Sequence, residues 1–77
     1  MKELKRLIAA ALKIPESEIC DATSMETTPR WDSLGHMDLI LSLEEHYKIT
    51  LEGDDIAGMV SVGAIRSALL RHGVSLR

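Results

Sequence analysis

Trp31-Asp32-Ser33-Leu34-Gly35-His36-Met37-Asp38-Leu39-Ile40-Leu41-Ser42-Leu43-Glu44-Glu45-His46-Tyr47 is the stretch that decides the fold. At a period of 3.6 residues, Leu39, Ile40, Leu43 and Tyr47 fall on one side and form a core-facing stripe. Pro29 belongs to a loop upstream. Asp32 carries a side chain that accepts hydrogen bonds from free first-turn amides, so a helix is expected from Ser33 to near Lys48. Leu34, Met37 and Leu41 draw a second apolar line that the first stripe does not need, with the acids Asp38, Glu44 and Glu45 among them. The start of this helix thus combines a serine hydroxyl with an extra apolar and acidic surface.

Upstream, Leu4, Leu7, Ile8, Ala11 and Leu12 repeat at i, i+3, i+4, i+7 and i+8, which predicts a helix over residues 2–13 that Pro15 stops. Residues 14–32 read as one long connection rich in Ser, Asp, Thr and Pro. Residues 15–18 are expected to make a single helical turn, and Ile14, Ile19 and Met25 to anchor the connection to the core. A connection of this length in so small a domain is more often functional than ordinary. Downstream, Ile49 and Leu51 turn inward, and a short helix is expected from Asp54 to Gly58, with Ile56 and Met59 covering the core. Short, glycine-flanked and poorly patterned, it is expected to be the most mobile helix. Ser61 then caps a last helix over residues 62–72, with Val62, Ile65, Ala68 and Leu69 inward, Gly73 as its stop and a frayed tail beyond.

The 77 residues leave room for one domain, residues 1–77, with one small core. Without Phe, and with one Trp and one Tyr, that core must be built from Leu, Ile, Val, Met and Ala. No alternating strand pattern competes with the helices. The fold class is all-α: a small four-helix bundle of three longer helices and a short third one, with a long loop between the first two. The single cysteine, Cys20, excludes an intramolecular disulfide or a cysteine-based zinc site and is read as a packing residue beside Ile19. The start of the chain imitates a secretory signal, but its apolar run has helical spacing and is broken by Lys13, so it is read as mature helix. No stretch approaches the roughly 18 apolar residues of a membrane span. These features favour a reducing cytoplasm, a monomer and no membrane partner.

The formal charge is −3, and its distribution says more than its sum. Residues 1–13 carry four bases and one acid, 14–30 four acids and one base, 31–58 seven acids and one base, and 59–77 three bases. The acidic middle favours a basic partner surface and disfavours nucleic acid, whose phosphates it would repel.

Asp32-Ser33-Leu34, followed by a helix with acids at these offsets, resembles the attachment motif of acyl carrier proteins and related phosphopantetheine-binding thioester carriers. The resemblance covers nearly the whole chain. It implies that Ser33 carries a covalent 4′-phosphopantetheine arm from coenzyme A, attached by a phosphopantetheinyl transferase, with Asp32 touching the transferase's Mg²⁺. It further implies acyl or aminoacyl cargo held as a thioester, loaded by an activating ligase or acyltransferase and consumed by downstream synthases. Docking would use Leu34, Met37, Asp38, Leu41, Glu44 and Glu45, and long apolar cargo would enter near Leu43, Met59, Ile65 and Leu69. Fatty-acid carriers usually read Asp-Leu-Gly-Ala-Asp-Ser-Leu, where this chain has Thr28-Pro29-Arg30-Trp31-Asp32-Ser33-Leu34, and Gly35 stands in place of a common acid. These departures are similar to stand-alone carriers of polyketide, nonribosomal-peptide or cell-surface polymer synthesis.

Three other readings compete. Ser33, His36 and Asp38 tempt a nucleophilic triad, yet Asp38 projects to a different side of the helix from His36 and no glycine-rich oxyanion loop is present. An enzyme is therefore not expected. His36 and His46 are too far apart along one helix to share an ion, so no metal site is expected and the histidines are read as solvated or partly packed. Trp31 is open between sheltering the arm, touching a partner and anchoring the loop. The remaining alternative is a helical interaction module that docks through the same surface without an arm.

Overall fold

The computed structural model describes residues 2–75. Its helices are α1 (Lys2–Leu12), α2 (Ser33–Tyr47), α3 (Gly53–Gly58) and α4 (Val62–Arg71), with one 3-10 turn at Glu16–Glu18 inside the long connection. The chain is all-α, a small bundle of three longer helices and one short one, and the described residues contain no helix long and apolar enough to cross a membrane.

α1 and α2 run antiparallel. Glu3, at the start of α1, meets His46 near the end of α2, while Leu12 lies against Gly35 in the first turn of α2. Leu4, Ile8 and Leu12 face Leu39, Ile40 and Leu43 across one buried core that also takes Val62, Ile65, Ala68 and Leu69 from α4. Ala9 is buried too, beside the expected stripe of α1 rather than on it.

Each longer helix ends in the same way. Lys13, Lys48 and Gly73 have positive φ (59°, 55° and 83°), and the apolar residue after each donates its amide to a carbonyl five residues back. These bonds are Ile14 to Ala9, Ile49 to Glu44 and Val74 to Leu69, at 3.0–3.2 Å. Such an end satisfies orphan carbonyls and folds an apolar residue back onto the core. α1 therefore stops at Leu12, three residues before Pro15, with Lys13 turning the chain. Val74 is tied down where a frayed tail was expected; Leu76 and Arg77 lie outside the described residues.

The long connection is stitched to the start of α4. Met25 donates to the carbonyl of Val60, Val62 to that of Thr23, and Gly63 to that of Asp21, with Arg66 and Asp21 paired at 2.8 Å alongside. Ile19 takes the inward place at 2% exposure, whereas Cys20 is exposed, a correction to its reading as packing. Thr23 fills that position instead. Its hydroxyl donates to the carbonyl of Glu18 and accepts from the Cys20 amide, and beside the thiol it holds Cys20 below the usual thiol range.

α3 begins at Gly53, one residue earlier than expected, and its own residues include none that is fully buried. Two side chains from longer helices hold it. His36 of α2 reaches the Ile56 carbonyl at 2.9 Å, and His72, at the end of α4, bonds Asp55 at 2.7 Å with Arg71 nearby. The His72 bond, helped by the Glu52 amide, holds the Asp55 carboxyl below the usual carboxylate range against an opposing burial effect. The folded state then takes up a proton less readily than the unfolded chain. The stabilisation is complete above the ordinary aspartate value of about 4 and is lost as pH falls through the lower folded value. Amide exchange in α3 is expected to quicken over that acid window, and Asp55→Asn to remove the step while leaving exchange fast at neutral pH.

Candidate functional site

Ser33 is exposed as the first residue of α2, and the cap before it is Asp32, whose Oδ1 accepts from the Gly35 amide at 2.8 Å. The Asp32 carbonyl takes the His36 amide at 2.8 Å. The amides of Ser33 and Leu34 take part in neither bond, and they sit at the positive end of a 15-residue helix. Negative charge on the Ser33 hydroxyl would be stabilised there.

Gly35 is required by a close approach. A Cβ at this position would lie 2.5 Å from the Arg30 carbonyl and 3.3 Å from a methyl of Leu12. The loop strand 28–31 can press on the first turn only because no side chain intervenes. Gly35→Ala is expected to cost about 1–3 kcal/mol, as for overpacking elsewhere, read as a fall in the denaturant midpoint with no change in slope.

Trp31 anchors the loop, resolving the three-way reading. It is 1% exposed, and its indole N–H donates to His36 Nδ1 at 3.0 Å. His36 is itself buried, a correction to the expectation of solvated or partly packed histidines. Because Nδ1 accepts, the proton of the neutral ring resides on Nε2, which donates to the Ile56 carbonyl. The bridge ties loop, α2 and α3 together directly beneath the Ser33 turn. Both ring nitrogens are engaged, so pairing His36 with the Ser33 hydroxyl would require breaking the bridge. Periodicity carries a signal for this residue that the reading passed over: His36 stands three, four and seven residues before Leu39, Ile40 and Leu43, on the core-facing stripe of α2.

Leu34, Met37 and Leu41 are 74%, 47% and 57% exposed, so the second apolar line of α2 faces solvent. Asp38 and Glu45 flank it in the open. Glu44 does not join them as a free charge: its Oε2 accepts the Leu51 amide at 2.8 Å and fixes the turn after α2. Leu43, Met59, Ile65 and Leu69 come together as members of the core, each at 0–1% exposure. Cargo could enter among them only by parting packed side chains. Open space lies elsewhere. A groove of about 310 Å³ runs between the end of α1 and the first turn of α2, bordered by Leu12, Lys13, Arg30, Asp32, Leu34 and Asp38.

No protein-family model matches this sequence, and no curated protein matches it.

Proposed function

We propose that this chain is a free-standing carrier that holds acyl or aminoacyl intermediates as thioesters on a phosphopantetheine arm at Ser33. The observation that carries the reading is the exposed Ser33 hydroxyl at the start of a long helix whose cap is supplied by its neighbour Asp32. A phosphodiester formed there would bring its negative charge to the helix N-terminus. In loading, the serine oxygen attacks the β-phosphorus of coenzyme A, the bond to the departing adenosine 3′,5′-bisphosphate breaks, and the hydroxyl proton leaves to a base of the transferase. The domain offers the hydroxyl and the transferase activates it.

The arm's thiol then takes the cargo as a thioester, which keeps the acyl group activated. Tethering raises its effective concentration at each partner active site. Leu34, Met37 and Leu41 would dock on a partner's apolar surface, with Asp38 and Glu45 steering toward its bases. The sequence around Ser33 favours polyketide, nonribosomal-peptide or surface-polymer chemistry over fatty-acid synthesis.

Incubation with coenzyme A, Mg²⁺ and a promiscuous phosphopantetheinyl transferase is expected to add one arm per chain, read by intact mass. The exposed apolar line also favours a second reading, a docking module with no arm. A folded protein that gains no mass with more than one transferase would put that reading first.

A further inference from the structure

We infer that His36 is a positioning residue for Ser33 and works as a proton-operated latch. Its neutral ring holds the loop strand 28–31 against the first turn of α2, and its protonated ring releases that strand while keeping α3 in place. The role at Ser33 rests on the carrier reading. The ring joins two partners with unlike demands. On one side Nδ1 must accept, because the Trp31 indole N–H can only donate. On the other, Nε2 donates to the Ile56 carbonyl. A proton taken from solvent onto Nδ1 makes that nitrogen a donor and sets two N–H groups against each other across the 3.0 Å contact. The bond to Ile56 survives, since Nε2 still donates and now does so from a cation. Both rings are buried, so the orphaned indole N–H is costly where it stands and is satisfied only if the strand moves outward to water.

The strand so released is the one that braces the attachment turn. The Trp31 amide donates to the Thr28 carbonyl at 2.9 Å, which closes residues 28–31 into a turn that moves with the ring. Within it the Arg30 carbonyl packs against Gly35, and Asp32, next along the chain, caps α2. Ser33 follows directly, so a shift of Trp31 reaches the attachment residue through two peptide units. α3 is secured independently. His72 bonds Asp55 at 2.7 Å, and protonation of that imidazole strengthens the pair. The Asp55 carboxylate, held low by this bond, stays charged to below about pH 4, and Arg71 stands on the same carboxylate. The other charged side chains nearby on the elements that meet here are Lys13, Arg30, Asp32, Asp38 and Asp54. All are exposed, and among the described residues none of them bonds to the His36 ring.

The test begins on the unloaded protein, by ¹H–¹⁵N NMR across a pH titration with the single indole as reporter. The Trp31 indole N–H and the amides of residues 28–31 are expected to shift with the same midpoint as the His36 ring nitrogens, while the α3 amides stay protected. His36→Asn places an acceptor oxygen near the Nδ1 position and His36→Gln an amide near the Nε2 position, so each keeps one of the two bonds and neither titrates. Loading with coenzyme A, Mg²⁺ and a transferase is then followed by intact mass, under conditions where circular dichroism shows each variant folded. It should be several-fold slower for His36→Gln and restored toward wild type in His36→Asn. A merely structural role would slow both alike, since each loses one buried bond. A His36 ring that stays neutral until the whole chain unfolds, loop and α3 loosening together, or His36→Gln loading no slower than His36→Asn would each overturn the inference while leaving the carrier reading intact. Wild-type protein that gains no mass would overturn the carrier reading and the positioning role with it, and the NMR midpoints would still decide the latch.

Discussion

Ser33→Ala is expected to abolish addition of the arm completely while leaving the bundle folded. The two halves of that expectation have separate causes. Attachment needs a primary hydroxyl, and alanine offers no oxygen, so the loss is all-or-none rather than graded. Folding, in contrast, does not lean on this side chain. The cap is Asp32, Ser33 is exposed, and alanine is the best residue for a helical position. Surface substitutions of this kind usually stay within about 0.5 kcal/mol. Mass spectrometry after transferase treatment reads the first half, and a denaturation midpoint matching wild type reads the second. An Asp32→Ala variant should behave differently. It is expected to lose about 1 kcal/mol through the missing cap and, on the carrier reading, to load more slowly.

Trp31→Ala should do the reverse, removing the fold rather than the attachment chemistry. The ring is 1% exposed and is the largest fully buried side chain. Truncating such a residue costs about 3–5 kcal/mol. A domain of this size has a total of only about 4–12 kcal/mol, so the variant should lose at least about a quarter of its stability and, at the lower end of that range, be largely unfolded. Trp31→Phe separates packing from hydrogen bonding. It keeps most of the ring area but leaves His36 Nδ1, in a buried pocket, without its donor, at a cost of about 1–3 kcal/mol. Circular dichroism and urea unfolding should rank wild type above Trp31→Phe and that above Trp31→Ala. Equal stability of the first two would show that the indole hydrogen bond contributes nothing.

These contrasts also show where sequence reasoning reaches. The helices were legible because their inward residues repeat at 3.6 positions and because Asp32, Ser61 and Gly73 mark ends with their own side-chain or backbone chemistry. The exposure of Leu34, Met37 and Leu41 followed from counting: α2 has room for only one core stripe, and Leu39, Ile40 and Leu43 fill it. What stayed hidden depends on tertiary partners. The lysines that end α1 and α2 with positive φ carry no local signal for that conformation. Helical spacing turns His36 inward, but its partners, a tryptophan donor on one side and a carbonyl twenty residues along the chain on the other, carry no local signal.

Two further residues changed meaning for the same reason. Gly35 looked like a missing acid at a functional position, yet the Arg30 carbonyl against its Cα gives it a geometric role. Glu44 looked like a steering charge on an acidic face, yet it accepts the Leu51 amide. Charge and periodicity describe a residue's own helix; neither describes which backbone donor will come to meet it.

The most direct test of the account is to locate the added mass. Wild-type protein treated with coenzyme A, Mg²⁺ and a transferase should be digested and fragmented by tandem mass spectrometry. The account predicts one phosphopantetheine group, on Ser33 and on no other hydroxyl. A group found on a different serine, or a folded chain that carries none, would contradict it.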